Sequence, residues 1–148
     1  MGVRIQDGAF DPGGELNAFA RTGDGGGAIA TFTGIVRSTP GDPIETLTLE
    51  CYPELALNQI GAMVAEARGR FGIIDETVIH RYGVLRPGDP IVQVMTLAAH
   101  REAAFGAAQF LMDYLKTDAP FWKKEATRTG ERWVAPRAAD DTARARWS

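Results

Sequence analysis

Apolar residues change their spacing several times along this chain, and each change marks an expected element. Val3 to Ile5 reads as a short first strand, and Leu16, Phe19 and Ala20 within Glu15 to Arg21 have helical spacing before a glycine-rich link, Gly23 to Gly27. Ala28 to Val36 is a β-branched, apolar run expected as a buried strand, with Gly34 marking a bulge or close backbone approach. Pro40, Gly41, Asp42 and Pro43 predict an exposed, mobile loop, after which Leu47, Leu49 and Cys51 alternate with Thr46, Thr48 and Glu50 as in a strand with one buried face. Pro53 suits the first turn of a helix whose inner face is Leu57, Ile60, Val64, Ala67 and Phe71, ending near Gly72. Thr77 to Leu85 and Ile91 to Ala99 predict a hairpin turned by Arg86-Pro87-Gly88-Asp89. A second long helix, Glu102 to Leu115, has Ala104, Ala108, Leu111 and Leu115 as its stripe. Beyond Pro120 the chain extends, with Trp122 and Lys124 facing one way and Phe121, Lys123 and Glu125 the other. Gly130 turns it back, Trp133 and Val134 form a last short strand, and Asp140 to Ser148 is a charged tail. Strands and helices interspersed around a hairpin predict an α+β fold, a sheet covered by two main helices, as a single domain over residues 1–148.

Composition narrows the class. A chain of 148 residues, 45% hydrophobic and 24% charged, is long enough to bury roughly two thirds of its unfolded surface without staples. No run of about 18 apolar residues could span a bilayer and no signal-peptide pattern opens the chain, so a cytoplasmic location and no membrane partner are expected. The single cysteine, Cys51, cannot close an internal disulfide and is expected as a small core residue, and one cysteine with two histidines predicts no metal site. Net charge is −3, but from Lys116 onward eight Lys or Arg face five Asp or Glu, a local +3 against −6 for the first 115 residues. That basic end suits an anion, and its mixed signs argue against nucleic acid.

Candidate chemistry gathers at element ends. Arg37 closes a strand, His100 and Arg101 open the second long helix, Lys116, Lys123 and Lys124 flank the Pro120 stop, and Arg137 follows the last strand. Converging, these groups would form a pocket for a compact anion such as phosphate. Each has a plainer alternative: a solvated strand end for Arg37, a capping or core histidine for His100, a surface charge for Arg137, and complements of the helix C-terminal dipole for the lysines. A lysine among cations and aromatic walls loses part of its preference for the charged form, which singles out Lys116 and Lys123. No Gly-x-Ser-x-Gly elbow, His-Glu-x-x-His, CxxC pair, P-loop or dinucleotide fingerprint is present, and no cofactor is called for.

The segments Thr31-Phe32-Thr33-Gly34-Ile35-Val36-Arg37, Leu47-Thr48-Leu49-Glu50, Ile79-His80-Arg81 leading to Pro87-Gly88-Asp89, Ala99-His100-Arg101, Met112 to Thr117 and Ala119 to Glu125 resemble, in order, the large catalytic subunit of molybdopterin synthase. The likeness runs from about Ala28 to Arg137, and the Lys-Thr-x-Ala-Pro-Phe-Trp-Lys string is its most specific part. The resemblance implies a mostly antiparallel α/β-hammerhead fold. It also implies a sulfurtransferase that builds the molybdopterin dithiolene from cyclic pyranopterin monophosphate in molybdenum cofactor biosynthesis. Sulfur would arrive as the C-terminal thiocarboxylate of a small ubiquitin-like carrier subunit, in a heterotetramer built on a homodimer of this chain. By the same resemblance Lys116 and Lys123 are the catalytic lysines, with either as base. Ile35, Val36, Arg37, His100, Arg101, Lys124 and Glu125 bind substrate, and Arg137 completes the pocket from the dimer mate. Two positions depart from the family: Ile35 stands where lysine is common, and Cys51 where histidine or another residue is. Two other readings of the residues remain: a non-enzymatic binding module on the same scaffold, and an enzyme for a different phosphorylated ligand.

Overall fold

The computed structural model describes residues 2–22, 24–135 and 137–148; Gly23, the first residue of the glycine-rich link, lies outside them. Among the described residues eight strands form two four-stranded sheets. The first has the order β1-β4-β6-β2, from β1 (Gly2–Gln6), β2 (Ala28–Ile35), β4 (Asp75–Arg81) and β6 (Pro90–Ala98). Only the β1–β4 pairing is parallel. The second, all antiparallel, has the order β5-β3-β7-β8, from β3 (Thr46–Glu50), β5 (Gly83–Leu85), β7 (Trp122–Thr127) and β8 (Gly130–Val134). The expected α+β, mostly antiparallel architecture is what the chain adopts.

Alternation along β6 explains how the helices are held. Val92, Val94 and Ala98 face the main core, against α2 (Pro53–Phe71) and α3 (Arg101–Thr117), and the Thr96 hydroxyl on that side donates to the Ala104 carbonyl of α3 at 2.7 Å. Met95 and Leu97 face the other way, into a small cluster with Phe19 of α1 (Pro12–Ala20) and Leu16. The two main helices therefore cover one face and the short first helix the other. Buried Ala104, Ala107 and Ala108 let α3 lie close on its neighbours, while Phe110 and Leu111 each contribute about 2–3 kcal/mol of apolar burial.

Four expectations are corrected. Thr77 to Leu85 is not one strand: the chain turns at Gly83, whose φ of 92° strongly favours glycine, and Gly83–Leu85 leaves for the second sheet to pair with β3. The hairpin is thus β4 with β6 alone, and its connection carries one strand of the other sheet. Leu57 is 44% exposed, because the helix turns Ala56, Ile60, Val64 and Ala67 inward instead. The 40–43 loop is exposed but tethered: Thr39 and Asp42 exchange backbone hydrogen bonds, and Arg132 of β8 holds the Asp42 carboxylate at 2.7 Å. The charged tail is a fourth helix, α4 (Ala138–Ala145), whose following Trp147 packs edge-on against Phe71 and Phe110, each 5.6 Å away between ring centres. Charge dominates that segment's composition, yet one tryptophan supplies enough apolar area to dock it. The bulge expected at Gly34 is present, as a register shift between Gly34 and Ile35 against β6.

Candidate functional site

At Thr117 the second long helix stops, Asp118 closing it with an N–H to the Tyr114 carbonyl. The chain reverses through Pro120 and enters β7. That reversal folds over the ends of β4 and β6 and leaves a cleft of about 200 Å³. Lys116, from the last turn of α3, and Lys123, from β7, line it together. Its floor is His80 of β4 with Ile91 and Val92 of β6, its apolar side Met112 and Leu115 of α3, and Arg137 and Asp140 close it from the start of α4. Period-two alternation works as the sequence required: Phe121 and Lys123 both line the cleft, while Lys124 lies over the Trp133 ring, 5.3 Å from its centre and 3.7 Å from Glu131. Trp122, on the opposite face from Lys123 as expected, meets Tyr52 edge-on at 6.1 Å.

Electrostatics in the cleft are those of cations short of water. Burial pushes the Lys123 ammonium below the usual lysine range, repulsion from Lys116 adds to this, and Asp140 and Glu125 oppose it. His80 is 5% exposed and stacks on Phe121, ring centres 3.9 Å apart and 14° from parallel. Burial lowers its pKa from 6.5 to about 4; its backbone hydrogen bond opposes that shift, and Lys123 and Lys116 reinforce it. A linkage prediction follows. The unfolded chain binds a proton near pH 6.5 that the folded chain refuses until about pH 4, so stability contributed by neutral His80 is complete above 6.5 and lost as pH falls to 4. That loss is about 3 kcal/mol. Denaturant unfolding at pH 7 and pH 4 should show a smaller acid loss in His80→Phe than in the wild type; equal losses would remove His80 from the account.

The remaining expected site residues lie elsewhere in the single chain. His100 and Arg101 line a separate hollow with Gly27, Ala28, Ala99 and Glu102, at the far end of α3 from Lys116. Fifteen residues of helix at 1.5 Å each put about 22 Å between them. Arg37 is exposed past the end of β2. Ile35 is exposed, Val36 is buried, and the Val36 N–H and C=O are both taken, by the Asp89 carbonyl and the Gly88 N–H at 2.9 Å. Glu125 pairs with Arg132 at 2.9 Å. Arg137 lines the cleft of its own chain, needing no mate for that. Cys51 is half-buried just past β3 and lines an aromatic hollow with Tyr52, Trp122 and Trp133; burial raises its thiol pKa.

His80, Met112 and Asp140 received no role from sequence reasoning, although each lines the cleft. His80 carried a usable signal, since it shares a face with Val78 near the end of an apolar strand that is buried on both faces. A histidine there either has its hydrogen bonds satisfied or borders a cavity. Among the described residues no group of three or more His, Cys, Asp or Glu is placed to hold a metal, and no helix is long and apolar enough to cross a membrane.

Comparison with known proteins places this arrangement. Residues 5–118 match the family described as MoaE protein. The molybdopterin synthase catalytic subunit of Cereibacter sphaeroides is 50% identical over 147 residues, 99% of this chain and 100% of that one. The solved molybdopterin biosynthesis MoaE protein of Burkholderia ambifaria superposes with a TM-score of 0.83 at 46% identity, covering 99% of this chain and 97% of that one. A protein–protein complex of subunits 1 and 2 of molybdopterin-converting factor from Helicobacter pylori shares the fold, with a TM-score of 0.77 at 22% identity and 91% of each chain covered. By sequence and by fold, the chain belongs to the MoaE family of molybdopterin synthase catalytic subunits.

Proposed function

We propose that this chain transfers sulfur from the C-terminal thiocarboxylate of a small ubiquitin-like carrier subunit to cyclic pyranopterin monophosphate, forming the molybdopterin dithiolene. The observation that carries the reading is the shared cleft of Lys116 and Lys123, walled by Phe121, His80 and Met112 and closed by Arg137. Both reactants are anions, a thiocarboxylate and a phosphate, and a partly dry cleft with three cations suits them. A cleft of about 200 Å³ with apolar Met112, Leu115 and Phe121 in its lining also suits an extended peptide tail better than a folded surface. Cys51 supports an external sulfur source: it lines a different hollow, and its raised pKa disfavours the nucleophilic thiolate. The two-subunit Helicobacter pylori complex, of the same fold, supports a small partner chain.

In this reading Lys116 lies nearest the carrier's terminal carbonyl, and Lys123 stabilises negative charge on thiocarboxylate or substrate. His100, Arg101 and Arg37 hold the phosphate end only if a second protomer brings them to the cleft, so the active assembly is a homodimer carrying a carrier at each end. Lys124 and Glu125, which pair with Glu131 and Arg132, extend the Lys123 strand toward the substrate, and the backbone of Ile35 and Val36 shapes the Arg37 end. Mixing the purified chain with thiocarboxylated carrier and precursor should yield the dithiolene product, with one carrier thiocarboxylate consumed per sulfur installed. Absence of product with an intact, carrier-bound chain would refute the assignment.

A further inference from the structure

We propose that His80 is a positioning residue of the lysine cleft: its unprotonated Nε2 accepts a hydrogen bond from the Lys123 ammonium and holds that group, still charged, against the anionic end of a ligand. The inference deepens the function proposed above, since it concerns the same cleft, but its central test needs neither carrier nor precursor.

The tautomer follows from geometry. His80 Nδ1 lies 2.8 Å from the Arg81 carbonyl oxygen, and a carbonyl only accepts, so a neutral ring carries its proton on Nδ1 and leaves Nε2 bare. Strand pairing sets the ring between Ile5 of β1 and Val92 of β6, and the stack on Phe121 fixes its plane, so the direction of the Nε2 lone pair is fixed as well. The ring is 5% exposed, and what it lines is the cleft. Among the described residues no hydrogen bond reaches Nε2, so its lone pair is open to a donor in the cleft that the ring lines.

Lys123 is the donor that fits. The Thr117 hydroxyl is already given to the Asp113 carbonyl at 2.8 Å, and Lys116 is exposed where Lys123 is half-buried. Lys123 stands two residues from Phe121 on the same strand face, so the residue that stacks on His80 also sets the lysine's approach. The Lys123 charge acts on the imidazole more strongly than that of Lys116. The other charged groups around Lys123 come from three elements: Lys116 from α3, Arg137 and Asp140 from the start of α4, and Glu125 on its own strand. The carboxylates there raise the lysine's proton affinity by cancelling its charge. An imidazole lone pair restores part of the lost hydration without cancelling it, leaving the full positive field for an incoming anion.

The test is a titration of the full chain labelled with 13Cε-lysine. In His80→Phe, which keeps an aromatic ring against Phe121 and removes the acceptor, the Lys123 pKa should fall by about one pH unit. Affinity for inorganic phosphate should drop about tenfold at a pH between the two values. His80→Gln, whose amide oxygen can reach the Nε2 position, should restore most of both. A merely structural histidine would leave the Lys123 titration unmoved in folded His80→Phe, and that result overturns the proposal. The wild-type 15N imidazole spectrum supplies a measurement that no folding failure can spoil: it should show the Nδ1–H tautomer with Nε2 as a hydrogen-bonded acceptor, and an Nε2–H tautomer also overturns it. A moved Lys123 titration without dithiolene formation would sink the sulfur-transfer reading alone, while turnover with an unmoved titration would sink only the role given to His80.

Discussion

Replacing Lys116 by alanine is expected to lower the rate of dithiolene formation by a factor of about 100 to 1,000, with the fold intact. Such a loss is about 3–4 kcal/mol of transition-state stabilisation, the scale of removing one preorganised donor from a partly dry site. The stability cost is small because Lys116 is exposed on the final turn of α3 and makes no ion pair among the described residues; its backbone carries the helix whatever the side chain. Melting temperature should therefore move by a degree or two at most. Lys123→Ala should lose as much turnover, and the double substitution little more than either alone, because two cations serving one anion act as a unit. Lys116 repulsion is one cause of the lowered Lys123 pKa, so Lys116→Ala should move the Lys123 titration upward. In the wild type, charged Lys123 is lost at a lower pH than an ordinary lysine's charge, so turnover should fall on the basic side earlier than pH 10.5. Near-normal turnover in Lys116→Ala would remove that lysine from the chemistry.

The lysine pair was legible in the sequence because local rules govern it. A helix that stops at Pro120, followed by strict alternation, puts Phe121 and Lys123 on one face, and both line the cleft with Lys116. Long-range geometry was not legible. Nothing in the residues themselves says that Gly83 breaks the β4 strand and sends Val84 and Leu85 to the second sheet, since a glycine inside a strand pattern serves equally as a bulge or a bend. His80 became part of the site only because that second sheet and the 118–121 reversal fold over it, a consequence of a contact between residues 80 and 121. Helix length alone separates His100 and Arg101 from Lys116, and this was readable, yet proximity in function had suggested proximity in one chain. The α4 segment was misread for a different reason. Eight residues, Asp140 and Asp141 near the start and Arg144 near the end, make too short an isolated helix, and its stability comes largely from Trp147, beyond its end.

The joint that holds α4 gives the largest stability effect. Phe110 is fully buried where α2, α3 and the C-terminal segment meet, its ring centre 5.7 Å from Phe71 and 5.6 Å from Trp147, with the Arg70 guanidinium 5.2 Å from its centre. Truncating it to alanine removes the ring's burial and leaves a cavity that three rigid elements cannot close. The expected cost is about 3–5 kcal/mol, against a typical total of about 5–15 kcal/mol, and calorimetry should show the melting temperature down by about 10 °C. Trp147→Ala separates stability from site assembly. It removes the outer ring of the cluster, which the Arg70 guanidinium also covers at 5.7 Å, and the Nε1 hydrogen bond to Asp113 at 2.7 Å, while Phe110 stays covered by Phe71. Its cost should be nearer 1–2 kcal/mol, from partial burial and one charge-assisted hydrogen bond. Turnover should suffer more than stability, because α4 would then lose its aromatic anchor and keep mainly polar ties, the Arg144–Asp118 and Arg146–Asp113 pairs and the Arg70 bond to the residue-147 carbonyl, and with it would loosen the Arg137 and Asp140 that close the cleft. A Phe110→Ala chain assayed well below its melting point should keep most of its activity, whereas Trp147→Ala should not. The reverse order would mean that the helix contributes nothing to the cleft beyond covering the core.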